Sequence, residues 1–259
     1  MTRSGGRAAT PPKTPPKGRA DQLLVDRGLV ESRARAQALI LAGKVFSGEA
    51  RIEKPGQALA ADRPLSLRGQ DHPWVSRGGV KLAHGLAHFG LSPAGRVCLD
   101  VGASTGGFTH VLLHNGAARV YAVDVGHGQL DWSLRNDPRV MVRERTNARY
   151  LTAEDVPEPV GALVCDASFI GLATVLPAAL ALCAPDAWAC ALVKPQFEVG
   201  PAVAKGGVVH DAAVHRAVCD RVAAWWGALP GWRVLGVEPS PLLGPEGNRE
   251  FLIAALRDG

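Results

Sequence analysis

The chain has 259 residues, 47% of them hydrophobic, enough for one large α/β domain with a small second one. No apolar run approaches the length of a membrane span, and the N-terminal residues lack a secretory hydrophobic stretch, so we expect a cytoplasmic protein. The net charge is +5: residues 1–54 hold 11 Lys and Arg against 5 Asp and Glu, and the other 205 residues hold 18 against 19. This partition predicts a basic module that binds a polyanion, joined to a nearly neutral body.

The cysteines are scattered along the chain and odd in number. None of them forms a CxxC or Cys/His spacing of the kind that binds zinc, so we expect no metal site. We expect small buried thiols in a reducing compartment at Cys98, Cys165, Cys183, Cys190 and Cys219.

The composition divides the chain into four segments. Residues 1–19 contain Pro, Gly, Lys and Arg but no acid, which predicts a disordered basic tail that is either solubilising or contacts phosphates. A compact module follows at 20–67, a linker at 68–79, and the main domain at 80–259.

The module at 20–67 begins with two predicted helices. A short helix is predicted to begin at Leu23 and to stop at Gly28, and a second one, for which Ser32 is the expected N-cap, to end at Gly43. Arg33 and Arg35 fall in the first turn of this second helix, where the helix dipole disfavours cations. Their position indicates that they bind something external and negative.

The same module resembles the S4 RNA-binding domain. The motifs that carry the resemblance are D-x-L-L, G-L-x-x-S-R-x-x-A-Q-x-L-I, G-K-V and the K-P-G at 54–56. The resemblance implies two helices on a small sheet that hold structured RNA mainly by its phosphates. A dimerisation or docking module is the alternative. The candidate RNA ligands are Arg19, Arg33, Arg35 and Lys44.

The main domain alternates strands and helices. A helix is predicted from Val80, and further helices at 108–116, 129–136, 173–183 and 210–229. Together with the strands, they predict a doubly wound α/β fold with the strand count of a Rossmann-like methyltransferase sheet. The seven predicted strands are 97–101, 119–125, 140–144, 161–166, 187–194, 232–238 and 250–256.

The first of these strands leads into a glycine loop, LDVGASTGGFTHVLL at 99–113. The glycines do not form the dinucleotide pattern GxGxxG, and Asp100 at the end of the strand would repel a pyrophosphate. A cofactor with positive charge and no phosphate fits better, which favours S-adenosylmethionine. Asp124, 24 residues on, ends the next strand and is positioned to accept the ribose hydroxyls of an adenosine; the alternative role for it is a helix N-cap.

Polar side chains also mark the ends of later strands. Asp166 and Lys194 end the fourth and fifth strands, and Glu250 opens the last, which runs antiparallel in such sheets. Lys81, at the start of the helix predicted from Val80, brings this set of polar residues to two lysines and two acids. Glu246 or Glu238 could take the place of Glu250 in the set. A lysine removes a proton from a ribose 2′-hydroxyl only when its neutral form is accessible, which burial and a second cation favour.

These four residues resemble the K-D-K-E tetrad of FtsJ-like 2′-O-methyltransferases. The motif order VSRGGxKL, DVGASTGGFT, CDASFI, VKPQFE and GPEGNREF resembles the TlyA family over nearly the whole chain from about residue 20. The resemblance implies methylation of cytidine 2′-hydroxyls in 23S and possibly 16S ribosomal RNA, with Asn147 beside the adenine. The expected cofactor residues are Asp100, Gly102, Ala103, Ser104, Gly106, Gly107, Phe108, Asp124, Val125 and Asn147.

Two further segments lie near this predicted site. Phe197 and Glu198 either shape the substrate pocket or, for Phe197, pack in the core. The loop at 205–211 is either a lid or a plain connection.

Three other functions compete with this one. The first is an RNA-binding protein without catalysis, and the second is a membrane-active haemolysin, a label that relatives often carry. The third is a base methyltransferase, which typically has an N/D-P-P-Y-like motif where this chain has DASFI at 166–170. The expected partners are ribosomal RNA or ribosomal subunits.

Overall fold

The structure is a computed structural model that describes residues 17–27, 29–30, 32–67, 72–200, 207–244 and 247–259. It divides into two compact units, Met1–Gln70 and Asp71–Gly259. Most of the predicted tail, part of the predicted linker and the beginning of the 205–211 loop lie outside the described residues.

The first unit is a small α+β module. Its elements are β1 (Lys17–Arg19), α1 (Ala20–Asp26), α2 (Arg33–Leu41), β2 (Val45–Ser47), β3 (Ala50–Arg51), β4 (Ala58–Ala60) and β5 (Ser66–Leu67). β1 pairs antiparallel with β4, and β2 lies between β3 and β5. The helices cover a core that includes Leu24, Ile40, Val45 and Ile52.

Two expectations for this unit were wrong. Residues 17–19, assigned to a disordered tail, form a strand, and the first helix begins at Ala20 rather than near Leu23. The reason is backbone pairing: β1 lies along β4, and the next two amides, of Ala20 and Asp21, donate to carbonyl groups just before β4.

The second unit is a seven-stranded α/β sheet with helices on both faces. Its elements are α3 (Arg77–Phe89), β6 (Val97–Val101), α4 (Gly107–His114), β7 (Arg119–Val123), α5 (Trp132–Arg135), β8 (Val140–Arg143), a 3₁₀ turn (Ala148–Tyr150), β9 (Val160–Cys165), α6 (Leu172–Val175), α7 (Pro177–Ala181), β10 (Cys183–Val193), α8 (Pro195–Glu198), α9 (Ala212–Gly227), β11 (Trp232–Pro239) and β12 (Phe251–Arg257). The strand order is β11-β12-β10-β9-β6-β7-β8, and β12 runs antiparallel to both of its neighbours. All seven predicted strands are confirmed.

Two buried clusters pack on the opposite faces of this sheet. On one face α3 and α4 contribute Leu82 and Leu112, and on the other α9 contributes Val218 and Trp226. Because alternate residues of a strand point to opposite faces, β12 supplies Leu252 to the first cluster and Ile253 to the second.

Several predicted boundaries in this unit were wrong. The helix predicted from Val80 begins at Arg77, and Trp74, placed in the linker, is buried in the cluster under α3. The helix predicted at 173–183 breaks into α6 and α7 at Pro177, which has no amide hydrogen for an i−4 bond. Within the described segments, no helix is both long and apolar enough to cross a bilayer.

Candidate active site

The strand registers bring three of the four predicted catalytic residues to one edge of the sheet. β10 pairs parallel with β9 and antiparallel with β12, so the ends of β9 and β10 lie beside the start of β12. Asp166 and Lys194 directly follow the first two strands, and Glu250 directly precedes the third. The clustering expected from strand ends is therefore present.

Lys194 is buried and held at the end of β10 by the segment that follows β9. Its Nζ lies 2.6 Å from Oδ1 of Asp166, an ion pair without hydrogen-bond alignment. The same ammonium donates to Ser168 Oγ at 2.9 Å and to the Asp166 carbonyl oxygen at 3.2 Å. An apolar strand thus ends on a cation that has both an anion and a hydroxyl as partners.

The other two residues form a second buried ion pair. Lys81 Nζ donates to Oε2 of Glu250, and both side chains are less than a tenth exposed. A side chain at Gly244 would overlap the other oxygen of Glu250, so glycine there leaves the carboxylate its space.

A close contact between two helix starts positions Lys81. A Cβ on Gly107 would collide with the hydroxyl of Ser76 and lie 2.8 Å from the amide nitrogen of Gly79. Glycine at 107 therefore lets the start of α4 touch the start of α3, which carries Lys81 in its second turn. The pair of lysines and the pair of acids balance in charge.

The glycine loop after β6 lies against the segment that carries Asp166. Gly102 has φ +82°, and a Cβ there would be 2.9 Å from the amide nitrogen of Ala167. Only glycine tolerates both the backbone conformation and this approach. The predicted cofactor loop and the predicted catalytic acid are therefore directly packed together.

Asp124 joins two loops through its carboxylate. Oδ2 accepts from the amide of Ser104 at 2.8 Å, and Oδ1 accepts from the amide of Gly126 at 2.7 Å. Each carboxylate oxygen retains acceptor capacity for a ribose hydroxyl. The alternative of a helix N-cap is excluded, because Asp131 caps the following helix α5.

Asp100 is completely buried, which its position at a strand end did not reveal. Burial raises its pKa to about 7, and the hydrogen bond from Thr109 Oγ1 at 2.7 Å partly opposes this rise. Its second oxygen, Oδ1, has no hydrogen-bond partner among the described residues. Such an orphaned acceptor beside the loop fits a ligand that brings a donor or a positive charge.

A small pocket lies beside Asp124. It is lined by Ala103, Ser104, Ala122, Asp124, Gly126, Gln129, Leu130, Val142 and Glu144. Glu144 accepts from Arg135, from His127 and from the amide of Gly128. Sequence reasoning missed Gln129 and Glu144, because each is an ordinary polar residue until the loops fold together.

Of the ten predicted cofactor residues, Ala103, Ser104 and Asp124 line this pocket and the other seven do not. Three of those seven have the following positions. Phe108 is buried in the core cluster under α3, and Val125 is 70% exposed. Asn147 caps the 3₁₀ turn, with its side-chain oxygen accepting from the amide of Arg149. Its contact with adenine stays a prediction. The apolar part of the pocket lining, Asp124 and the orphaned oxygen of Asp100 nevertheless fit the adenosine and the cationic end of S-adenosylmethionine.

Comparison with known proteins agrees with this geometry. The FtsJ-like methyltransferase family model matches residues 74–257. The chain belongs to this family. This chain is similar to the Mycobacterium tuberculosis 16S/23S rRNA (cytidine-2'-O)-methyltransferase TlyA. The two are 51% identical over 92% of this chain and 89% of the Mycobacterium protein.

Two more relatives match nearly the whole length of this chain. Hemolysin A of Brachyspira hyodysenteriae is 35% identical over 90% of this chain and 98% of its own. A solved structure from Streptococcus thermophilus, described as a candidate hemolysin, is 41% identical with a TM-score of 0.71 and covers 94% of this chain and 89% of that one. The membership in the TlyA family expected from the motifs is confirmed.

Other predicted residues of the FtsJ-like unit have defined contacts. The Phe197 ring lies 5.0 Å from that of Phe169, which is 88% exposed. Glu198 accepts from the amide of Leu172 and so supports the start of α6. Glu238, considered as a substitute for Glu250, instead contacts His84 and His88; Glu246 lies outside the described residues.

In the first unit, two predicted RNA ligands have an internal partner. Arg19 and Arg33 both bind the buried carboxylate of Asp21, at 2.9 and 3.2 Å. The hydrogen bonds from Arg19 hold the pKa of Asp21 well below its usual range. The helix-dipole argument had led us to expect an external anion at Arg33. The contact with Asp21 explains the position of Arg33 without one. Arg35 and Lys44 are exposed.

Proposed function

We propose that this protein transfers the methyl group of S-adenosylmethionine to the 2′-hydroxyl of a cytidine in ribosomal RNA. The observation that carries the proposal is the pair of buried Lys–carboxylate ion pairs at the strand ends, packed against the glycine loop. The name of the similar Mycobacterium tuberculosis enzyme supports the choice of cytidine and of both ribosomal RNAs. From this substrate we infer that the reaction takes place in the cytoplasm.

The side chains divide the work as follows. S-adenosylmethionine supplies an electrophilic methyl group, and we assign its ribose to Asp124 and its cationic end to the vicinity of Asp100. Lys194 Nζ binds the target 2′-hydroxyl and accepts its proton; Asp166 and Ser168 fix that nitrogen in place. General-base assistance of this kind contributes about 10²- to 10⁴-fold.

The second ion pair supports the same edge of the sheet as the first. Glu250 directly precedes β12, which pairs with β10, so the contact of Lys81 with Glu250 joins α3 to the strand next to the one that Lys194 follows. The buried surroundings also exclude water, which strengthens these interactions and keeps the hydroxyl aligned.

We assign RNA binding to the first unit as an S4-type module, with the methyltransferase domain beginning near residue 71. Its two helices on small sheets, the exposed Arg35 and Lys44, and the partly exposed Arg19 and Arg33 support this assignment. Phosphate contacts of this kind hold an RNA without reading its sequence. The choice of nucleotide then belongs to the second unit.

The test is methyl transfer from labelled S-adenosylmethionine to isolated ribosomal subunits from cells that lack the gene. Nuclease digestion and mass spectrometry then identify the labelled nucleoside. We expect 2′-O-methylcytidine, and the labelled subunit identifies the substrate. A methyl group on a base would contradict the proposal, and so would the absence of transfer to either subunit by protein that binds the cofactor.

A further inference from the structure

Two histidines and a glutamate lie together in the second unit, at the C-terminal half of α3. His84 and His88 are four residues apart on α3 and so lie on one face of the helix. Glu238 of β11 contacts both, with Oε1 3.2 Å from Nε2 of His84 and Oε2 3.6 Å from Nε2 of His88. The proposed methyl transfer uses none of these three side chains.

The nitrogen and oxygen atoms of these three side chains are grouped closely enough to face one metal ion. One ligand atom from each side chain can be chosen so that all three lie within 4.8 Å of one another. Bonds of about 2.0–2.2 Å in a tetrahedron separate neighbouring ligand atoms by roughly 3.3–3.6 Å. Each oxygen of Glu238 lies near that distance from one histidine, Oε1 3.2 Å from Nε2 of His84 and Oε2 3.6 Å from Nε2 of His88.

An irregularity in β11 turns Glu238 toward the histidines. The register of β11 on β12 shifts between Val234 and Gly236, so two residues of β11 oppose one of β12. Val234 and Val237, three residues apart, consequently both pack on the cluster under α9. In a regular strand they would point to opposite faces.

The next residue, Glu238, is therefore on the other face. It lies opposite Leu252, which belongs to the cluster under α3. Without the bulge, the glutamate would point away from the histidines. Bulges of this kind re-aim side chains, and Gly236, with φ +154°, supplies the backbone freedom that this one requires.

We propose that His84, His88 and Glu238 form a binding site for a divalent transition metal of the Zn²⁺ class. Two imidazoles and a carboxylate suit Zn²⁺, Co²⁺, Ni²⁺ or Cu²⁺, whereas Mg²⁺ and Ca²⁺ prefer oxygen ligands alone. The side chains are 37%, 43% and 26% exposed, so the ion enters from solvent and water completes its coordination.

The site has a structural role. His84 lies one turn beyond Lys81 on α3, and Glu238 is on the strand that pairs with β12, which begins just after Glu250. A metal bound here ties α3 to β11 beside the Lys81–Glu250 pair. This site was not predicted from the sequence, because Glu238 is 154 residues from His84 and the bulge that turns it toward the histidines is visible only in the fold.

The test uses the full-length protein after treatment with a chelator, titrated with Co²⁺ and followed by its visible absorption. We compare the wild type with Glu238→Gln and His84→Gln, and use His210→Gln as a control, since His210 is exposed and belongs to no such cluster in the described structure. Circular dichroism verifies that every variant is folded.

We expect the wild type and His210→Gln to bind a single Co²⁺ that Zn²⁺ displaces, with a raised melting temperature. Both ligand variants should bind at least about 10- to 100-fold more weakly, since loss of a supporting group alone has that effect. Equal Co²⁺ affinity in all four proteins, or no binding by the wild type, would overturn the proposal and leave the three side chains as ion pairs only.

Discussion

Breaking the Lys81–Glu250 pair provides a test of the active site that does not require RNA. Lys81 is 6% exposed and Glu250 only 2%, so a charge left behind by removal of its partner is largely shielded from bulk water. Removing one partner of such a pair costs about 3–5 kcal/mol, whereas replacing both with apolar residues is often neutral. Lys81→Met and Glu250→Leu should therefore each lose about 3–5 kcal/mol of unfolding free energy.

The double variant Lys81→Met/Glu250→Leu should lose less than either single variant, although all three should be inactive. Urea unfolding followed by tryptophan fluorescence measures this, because all six tryptophans, at 74, 132, 188, 225, 226 and 232, belong to the second unit. A double variant that loses the sum of the single losses would refute the reasoning. It would show that the two charges do not meet in the folded protein.

Three further predictions concern the cofactor loop and the first unit. Gly102→Ala should weaken S-adenosylmethionine binding and should lower the free energy of unfolding by more than the approximately 1–2 kcal/mol that an alanine in the left-handed region costs. Gly128→Ala is the control, because Gly128 is also left-handed but lies in open space, and it should lower the free energy of unfolding by that amount alone. Because the pKa of Asp100 is raised from 3.8 to about 7, the folded state retains a proton that the unfolded chain loses between these values, so stability from this group falls as pH rises through that window. Asp100→Asn should accordingly gain stability over the wild type as pH rises from 4 to 7, and urea unfolding at several pH values measures the difference; a constant difference would contradict the assignment. Arg35→Gln should reduce the slope of log affinity for RNA against log salt concentration by about one unit without affecting stability. Arg33→Gln should also lower the melting temperature of the first unit, because Arg33 binds the buried Asp21. Equal melting temperatures for the two variants would contradict that contact.

The sheet and the clustering of Asp166, Lys194 and Glu250 at one edge of it could be predicted from the sequence for one physical reason. Parallel strands place their carboxyl ends at one edge, so the residues after buried strands, such as Asp166 and Lys194, are brought together whatever the loops do. Periodicity also located Ser32, whose side chain does cap α2. These features depend on local pattern and on strand direction alone.

The remaining features depend on contacts between distant segments. The pairing of Lys81 with Glu250 is set by the contact between two helix starts, and the burial of Asp100 is set by packing around its strand. The direction of Glu238 is set by a bulge, and Arg33 is bound by a carboxylate on another helix. None of these leaves a local pattern in the sequence.

The measurement that tests the central claim most directly is the rate of methyl transfer by Lys194→Met at saturating RNA and cofactor. Arg216→Met is the matched control, because it removes an exposed cation from the same unit. We predict a loss of about 10²- to 10⁴-fold for Lys194→Met, with cofactor affinity retained and no loss for the control. A rate for Lys194→Met within tenfold of the wild type would contradict the assignment of Lys194 as the group that accepts the proton.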